Sequence, residues 1–139
     1  MSSRIRRPET TRLEITRGDW LLVKRHLMAG EERRILERMI KTMRAGEPAT
    51  LDPAQAGISQ MVEYLLDWSI TDPDNKPVVI RDQSPTVIAA ALNNLDIDSY
   101  NEIREAIVAH DAAMIAEREA EKNAQAGAPA SPATLPSVA

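Results

Sequence analysis

The sequence predicts a mainly α-helical protein: a small helical bundle of about four helices with a short N-terminal β-hairpin and a disordered C-terminal tail. Three observations carry that expectation. Aromatic residues are only 3% of the 139, with no Phe, so the core must be built from Leu, Ile, Val, Met and Ala, a mixture that suits helices better than a β-sandwich. Apolar residues recur at helical spacing in several segments, each opened or closed by capping residues, Gly or Pro. Residues 124–139 carry no charge and repeated Pro, and cannot bury enough surface to offset chain entropy.

Taken in order, residues 1–11 lack periodicity and read as a flexible arm. Arg12 to Thr16 alternates polar and apolar, Arg17-Gly18-Asp19 is turn chemistry, and Trp20 to Val23 is a second apolar run, which together make a β-hairpin. The Arg-Gly-Asp tripeptide is read as part of that turn and not as an adhesion motif. The first helix opens at Met28 or Gly30, with Glu31 and Glu32 at its positive end and Lys41 and Arg44 at its negative end. Ile35, Leu36, Met39, Ile40 and Met43 share one face, and Gly46 with Pro48 stops it.

Asp52, Pro53 and Gln55 open the second helix, whose stripe runs Ile58, Met61, Val62, Leu65 and Leu66, with Trp68 and Ile70 near its end. Gly57 inside it costs about 1 kcal/mol relative to Ala unless it permits close packing. A polar turn at residues 71–76 precedes Val78, Val79 and Ile80, whose β-branching suggests a third short strand. Ser84-Pro85 opens a short helix bearing Val87, Ile88, Ala91, Leu92 and Leu95. Ser99 and Glu102 have capping-box spacing before the last helix, whose apolar face is Tyr100, Ile103, Ile107 and Met114; its end, from Glu117, is charged all round. Residues 12–123 are thus expected to form a single helical domain, followed by the tail at 124–139.

Composition also excludes classes of function. With no Cys there is no disulfide, thiolate metal site or Cys nucleophile. No apolar run approaches the roughly 20 residues of a membrane span, and Met1 to Arg7 lacks the apolar stretch of a signal peptide, so a cytoplasmic location is expected. His26 and His110 stand in no metal-binding spacing, and a lone helical His is usually a surface or boundary residue. The glycines at 18, 30, 46, 57 and 127 form no phosphate loop. Asp67, Asp72, Asp74 and Asp82 lack the spacing of a calcium loop, and Pro73 and Pro77 interrupt them. No catalytic constellation emerges; the chain is expected to be a binding protein, not an enzyme, with no cofactor or metal.

The net charge of −4 is unevenly spread: residues 1–44 carry +6, while residues 45–95 and 96–139 carry −5 each. A basic front end suits an acidic partner or nucleic acid, but Glu9, Glu14 and Asp19 dilute it, and nucleic acid is the weaker expectation. Met39, Met43 and Met114 lie on helical apolar faces; flexible Met side chains suit surfaces that re-pack around helical partners, so these three are the candidate partner-binding residues beside their plainer reading as core.

The order of segments adds a resemblance. Leu13-Glu14-Ile15, Gly18-Asp19-Trp20 and Gly30-Glu31-Glu32 resemble the start of tail assembly chaperones of long-tailed, siphovirus-like bacteriophages. The run from Tyr64 to Ile70 with Lys76-Pro77-Val78, the run from Asn101 to Ile107 with His110, and the charged run from Glu117 to Asn123 look like the same family, covering residues 12–123. None is a catalytic fingerprint. The resemblance implies a protein that binds the apolar helical tape-measure protein in the host cytoplasm, keeps it soluble, helps recruit tail-tube subunits and is absent from the mature virion. Homo-oligomer formation is left open. It also implies a longer product made by programmed frameshifting, for which Lys122-Asn123 is the candidate position. The alternatives are a head or tail component retained in the particle, and a small nucleic-acid-binding regulator.

Overall fold

The computed structural model describes Arg4 and residues 8–40 and 53–125. The Asp52 cap, the stop at Gly46 and Pro48, Met43 and the tail beyond Gln125 lie outside those described residues, as does most of the expected arm. Among the described residues the chain forms four helices and a three-stranded antiparallel sheet. The strands are β1 (Thr10–Glu14), β2 (Trp20–Lys24) and β3 (Leu65–Trp68). The helices are α1 (Ala29–Ile40), α2 (Pro53–Tyr64), α3 (Pro85–Asn93) and α4 (Ile97–Gln125). Two compact units divide within α4, Met1–Val108 and Ala109–Ala139.

The hairpin forms in the register its alternation demands, Leu13 against Leu21 and Thr11 against Val23. Arg17 (φ 62) and Gly18 (φ 75) are both left-handed and form the tight turn of the hairpin, in which the Asp19 N–H donates to the Thr16 carbonyl at 3.2 Å and the Ile15 N–H to the Asp19 carbonyl at 2.9 Å. A left-handed φ is permissive for Gly and strained for Arg. Alternation along β2 buries Leu21 and Val23 completely and leaves Trp20, Leu22 and Lys24 on the other face.

The expected length of the second helix is corrected here. The helix stops at Tyr64, and Leu65–Trp68 passes without a linker into β3, paired with β2 through Leu21↔Trp68 and Leu22↔Asp67. The side chain of Ser69 then ties the turn to the sheet: its hydroxyl accepts from the Trp20 N–H and donates to Asp19, both at 2.9 Å. The third strand expected at Val78–Val79–Ile80 is not formed; the sheet takes β3 instead, an isolated bridge joins Thr71 to Pro77 just before that segment, and the Val78 N–H donates to the Ile70 carbonyl at 3.1 Å. Val78 accepts the Trp68 indole N–H at 2.7 Å through its carbonyl, and Ile80 plugs the core.

Helix starts follow the capping logic in two cases and depart from it in a third. Glu31 accepts from the Met28 N–H at 2.8 Å at the head of α1, and the Ser84 hydroxyl accepts from the Val87 N–H at 3.3 Å at the head of α3, with Pro85 in the first turn. At α4 the cap is Asp96, not Ser99: its carboxylate accepts from both the N–H and the hydroxyl of Ser99 at 2.8 Å. Glu102, expected to complete the box, instead accepts from the Thr16 N–H (3.1 Å) and hydroxyl (2.9 Å), fastening the hairpin turn to α4.

The core is aliphatic as composition requires. Met61 and Leu65 from the α2–β3 junction meet Leu21, Val23, Ile80, Leu92, Ile103 and Ile107, all essentially without solvent exposure. Each such side chain stabilises the fold by roughly 1.5–3 kcal/mol. Leu36 and Val87, expected in buried stripes, are exposed. A Cβ at Gly57 would sit 3.4 Å from the flexible Arg104 Cδ, which can shift by a few tenths of an ångström. Gly57→Ala is therefore expected to raise the thermal midpoint, with a gain of up to about 1 kcal/mol from helix propensity; a fall would show that Arg104 cannot yield.

Candidate interaction surface

Six large aliphatic side chains stand exposed among the described residues: Leu36 on α1, Val79 before α3, Val87 on α3, and Ile97, Val108 and Ile115 on α4. Leu36 (56% exposed) rises between the exposed charges Glu32, Arg33 and Glu37. Val79 (61%) results from extended backbone in which the next residue, Ile80, turns inward. Ile97 (68%) is the first residue of α4, set outside by the Asp96 cap that directs Ser99 and Tyr100 back toward the domain. Helical geometry spaces Ile97 and Val108 by about three turns, on nearly the same side of α4.

The Met positions fare differently. Met114 is half-buried, and in the unit that begins at Ala109 the neighbouring Ile115 is the exposed apolar side chain. Met39 lies on α1, with its side chain outside the described set, and Met43 is outside it altogether. Lys122 and Asn123 are exposed in the last turns of α4. His110 is buried, which corrects its reading as a surface or boundary residue.

A charge network underlies α1 and holds its exposed face in place. The Glu63 carboxylate on α2, only 5% exposed, accepts from Arg34 Nε at 3.0 Å and Arg38 Nη2 at 2.8 Å, with Lys24 Nζ at 3.9 Å. Lys24 also pairs with Glu31, which lies 3.9 Å from Arg34. Arg38 extends the network by donating to the Ser59 carbonyl at 3.4 Å. Sheet, α1 and α2 are thereby joined through five side chains from β2, α1 and α2. Burial pushes the Glu31 carboxyl up, but the hydrogen bonds from Lys24 and the Met28 N–H and the charges of Lys24 and Arg34 outweigh it, leaving it below the ordinary value of 4.5. The hydrogen bonds from the Ser99 N–H and hydroxyl likewise hold Asp96 below its ordinary 3.8.

The sign of the pH effect follows. A carboxyl depressed on folding contributes stability that is fully present above its unfolded pKa and lost as pH falls through the folded one. The thermal midpoint is expected to be flat from neutrality down to about pH 5 and to fall below about pH 4.5, with a shallower fall in Glu31→Gln. An identical acid slope in that variant would remove Glu31 from the account.

Two other places carry polar groups close together. A polar cleft of about 530 Å³ lies between the hairpin turn and the start of α4, lined by Thr16, Arg17, Asp19, Asp98, Glu102 and Glu105 among others. Its Asp19 and Glu102 are already engaged by Ser69 and Thr16. In the polar turn, the Asp72 carboxylate accepts from the Asp74 and Lys76 N–H groups at 2.9 Å, so it shapes the turn. Among the described residues no group of three or more His, Asp or Glu side chains converges as a metal site, and no helix is long and apolar enough to cross a membrane.

Comparison with protein-family models, with curated proteins and with solved structures returns no match. The family reading therefore rests on the residues of this chain alone. Sequence reasoning missed the Glu63 network, the Glu102–Thr16 tie and the exposure of Leu36 and Val87. The only local signal for the first was a set of charged residues at helical spacing, Glu31, Arg34 and Arg38, on the side of α1 that meets α2.

Proposed function

We propose that this chain is a tail assembly chaperone of a long-tailed bacteriophage. It binds the tape-measure protein non-covalently, keeps it soluble and helps recruit tail-tube subunits, without catalysis and without a cofactor. The observation that carries the reading is the set of exposed aliphatic side chains, most of them on helices, in addition to a filled core. An unassembled tape measure presents long apolar helical faces, and aliphatic side chains standing out of a polar surface are the chemistry that covers such faces. In this reading the helices between residues 29 and 108 form the small bundle expected from the sequence, and its outer aliphatics do the binding. The protein acts in the host cytoplasm and leaves before the particle is complete, and a frameshift at Lys122-Asn123 supplies a longer form.

Co-expression tests the proposal. With this chain present, a tape-measure protein from the same phage is expected to move from the insoluble to the soluble fraction and to co-purify; an unchanged soluble yield would count against the chaperone role. Mass spectrometry of purified particles separates it from a structural component, since a stoichiometric retained copy would favour the latter.

A further inference from the structure

We propose that the chain associates with a second copy of itself through the free edge of its sheet, β1 pairing antiparallel to β1 about a two-fold axis at Leu13. The strand order β1-β2-β3 leaves β1 outermost. Hydrogen bonds from the Arg25 N–H to the Glu9 carbonyl and from the Ile15 N–H to the Asp19 carbonyl bracket the β1–β2 ladder. Antiparallel alternation then turns the backbone groups of Thr11 and Leu13 toward β2 and those of Thr10, Arg12 and Glu14 outward. Among the described residues no strand pairs with that outer edge.

Natural edge strands are blunted by Pro, by bulges or by charges folded across the edge. From Thr10 to Glu14 there is no Pro and no Gly, and the irregularity in the sheet lies between β2 and β3. The two charges are held elsewhere: the Arg12 guanidinium sits 4.8 Å over the Trp20 ring, and its Nε pairs with Glu14 at 2.9 Å. Both side chains thus lie on the open face of the sheet, and neither crosses the main-chain edge.

The occupant follows from charge complementarity. With Leu13 opposite Leu13 of the second copy, Arg12 stands directly opposite Glu14 of that copy, and Glu14 opposite its Arg12. These are the residues whose N–H and C=O groups point outward, so the same register makes the main-chain bonds. Opposite charges directly across antiparallel strands stabilise and like charges destabilise, which disfavours the neighbouring register that sets Arg12 against Arg12. Pairing is short, because Pro8 has no N–H and Thr16 is engaged by Glu102, so the dimer is reversible.

The test uses the full chain alone and is independent of the chaperone reading. Sedimentation velocity is expected to show a concentration-dependent monomer–dimer equilibrium, with the Arg12 and Glu14 amides slower to exchange as concentration rises. Arg12→Glu and Glu14→Arg should each weaken the dimer by about tenfold. The double exchange should restore it, and mixing the two single variants should produce a heterodimer. Circular dichroism checks that each variant is folded; if one is not, the exchange data on the unaltered chain decide. A chain monomeric at millimolar concentration, a dimer indifferent to both single changes, single variants that fail to pair on mixing, or edge amides protected only when a different protein is added would each overturn the proposal.

Discussion

Glu63→Gln is expected to lower the free energy of unfolding by about 3 kcal/mol, measured by chemical denaturation at neutral pH. The carboxylate is nearly fully buried and is the only anion within bonding distance of Arg38 among the described residues. Removing its charge leaves Arg38, largely buried, facing a neutral amide, while Lys24 keeps Glu31; breaking a buried pair costs far more than an exposed one. Arg34 is 54% exposed and can turn to water, so Arg34→Met should cost well under half as much. Equal losses in the two variants would mean that packing, not charge, joins α1 to α2. The network also sets which face of α1 is turned outward, so it connects stability to the display of Leu36.

The second large effect is functional. In the proposed chaperone role, Leu36→Gln, Val87→Gln and Ile97→Gln combined are expected to weaken tape-measure binding by about a hundredfold, on the basis of roughly 1 kcal/mol of lost apolar burial at each position. Stability should change by less than about 1 kcal/mol, because the three positions are exposed and Gln is a good helix former. Co-expression yield reads the first quantity and thermal melting the second. A folded triple variant that still solubilises its partner fully would place the binding surface elsewhere.

The sequence made the locally encoded parts of this fold legible. Ser84-Pro85 and Glu31 mark helix starts through bonds within one turn, and alternation around Gly18 determines the hairpin register. The α2–β3 junction was illegible for a physical reason. Ile58, Met61, Val62 and Leu65 continue a helical stripe, and no Gly or Pro intervenes; the helix stops because β2 offers Leu65–Trp68 a ladder and Ser69 bonds the Trp20 N–H, partners more than forty residues away. Tertiary pairing overrides local propensity there. Val78, Val79 and Ile80 show the converse, strand-like side chains for which the sheet has no place.

The candidate surface divides the same way. Periodicity correctly grouped Ile103 and Ile107 as core, but it placed Leu36 and Val87 there too, because spacing tells which residues share a face and not how wide the buried part of that face is. At the head of α4, Asp96 and Ser99 both have capping chemistry; the competition was settled by Glu102, which found Thr16 across the domain. Glu63 drew no notice in the sequence because its cations come from β2 and α1.

The claim at the centre of this account is that exposed aliphatic side chains bind an apolar helical partner. Isothermal titration calorimetry of the purified chain against soluble tape-measure segments, run at several temperatures, tests it most directly. Saturable binding is expected with a negative heat-capacity change, the signature of apolar surface leaving water, and with a smaller change for the triple Gln variant. No binding, or binding whose enthalpy is independent of temperature and unaffected by those three substitutions, would contradict it.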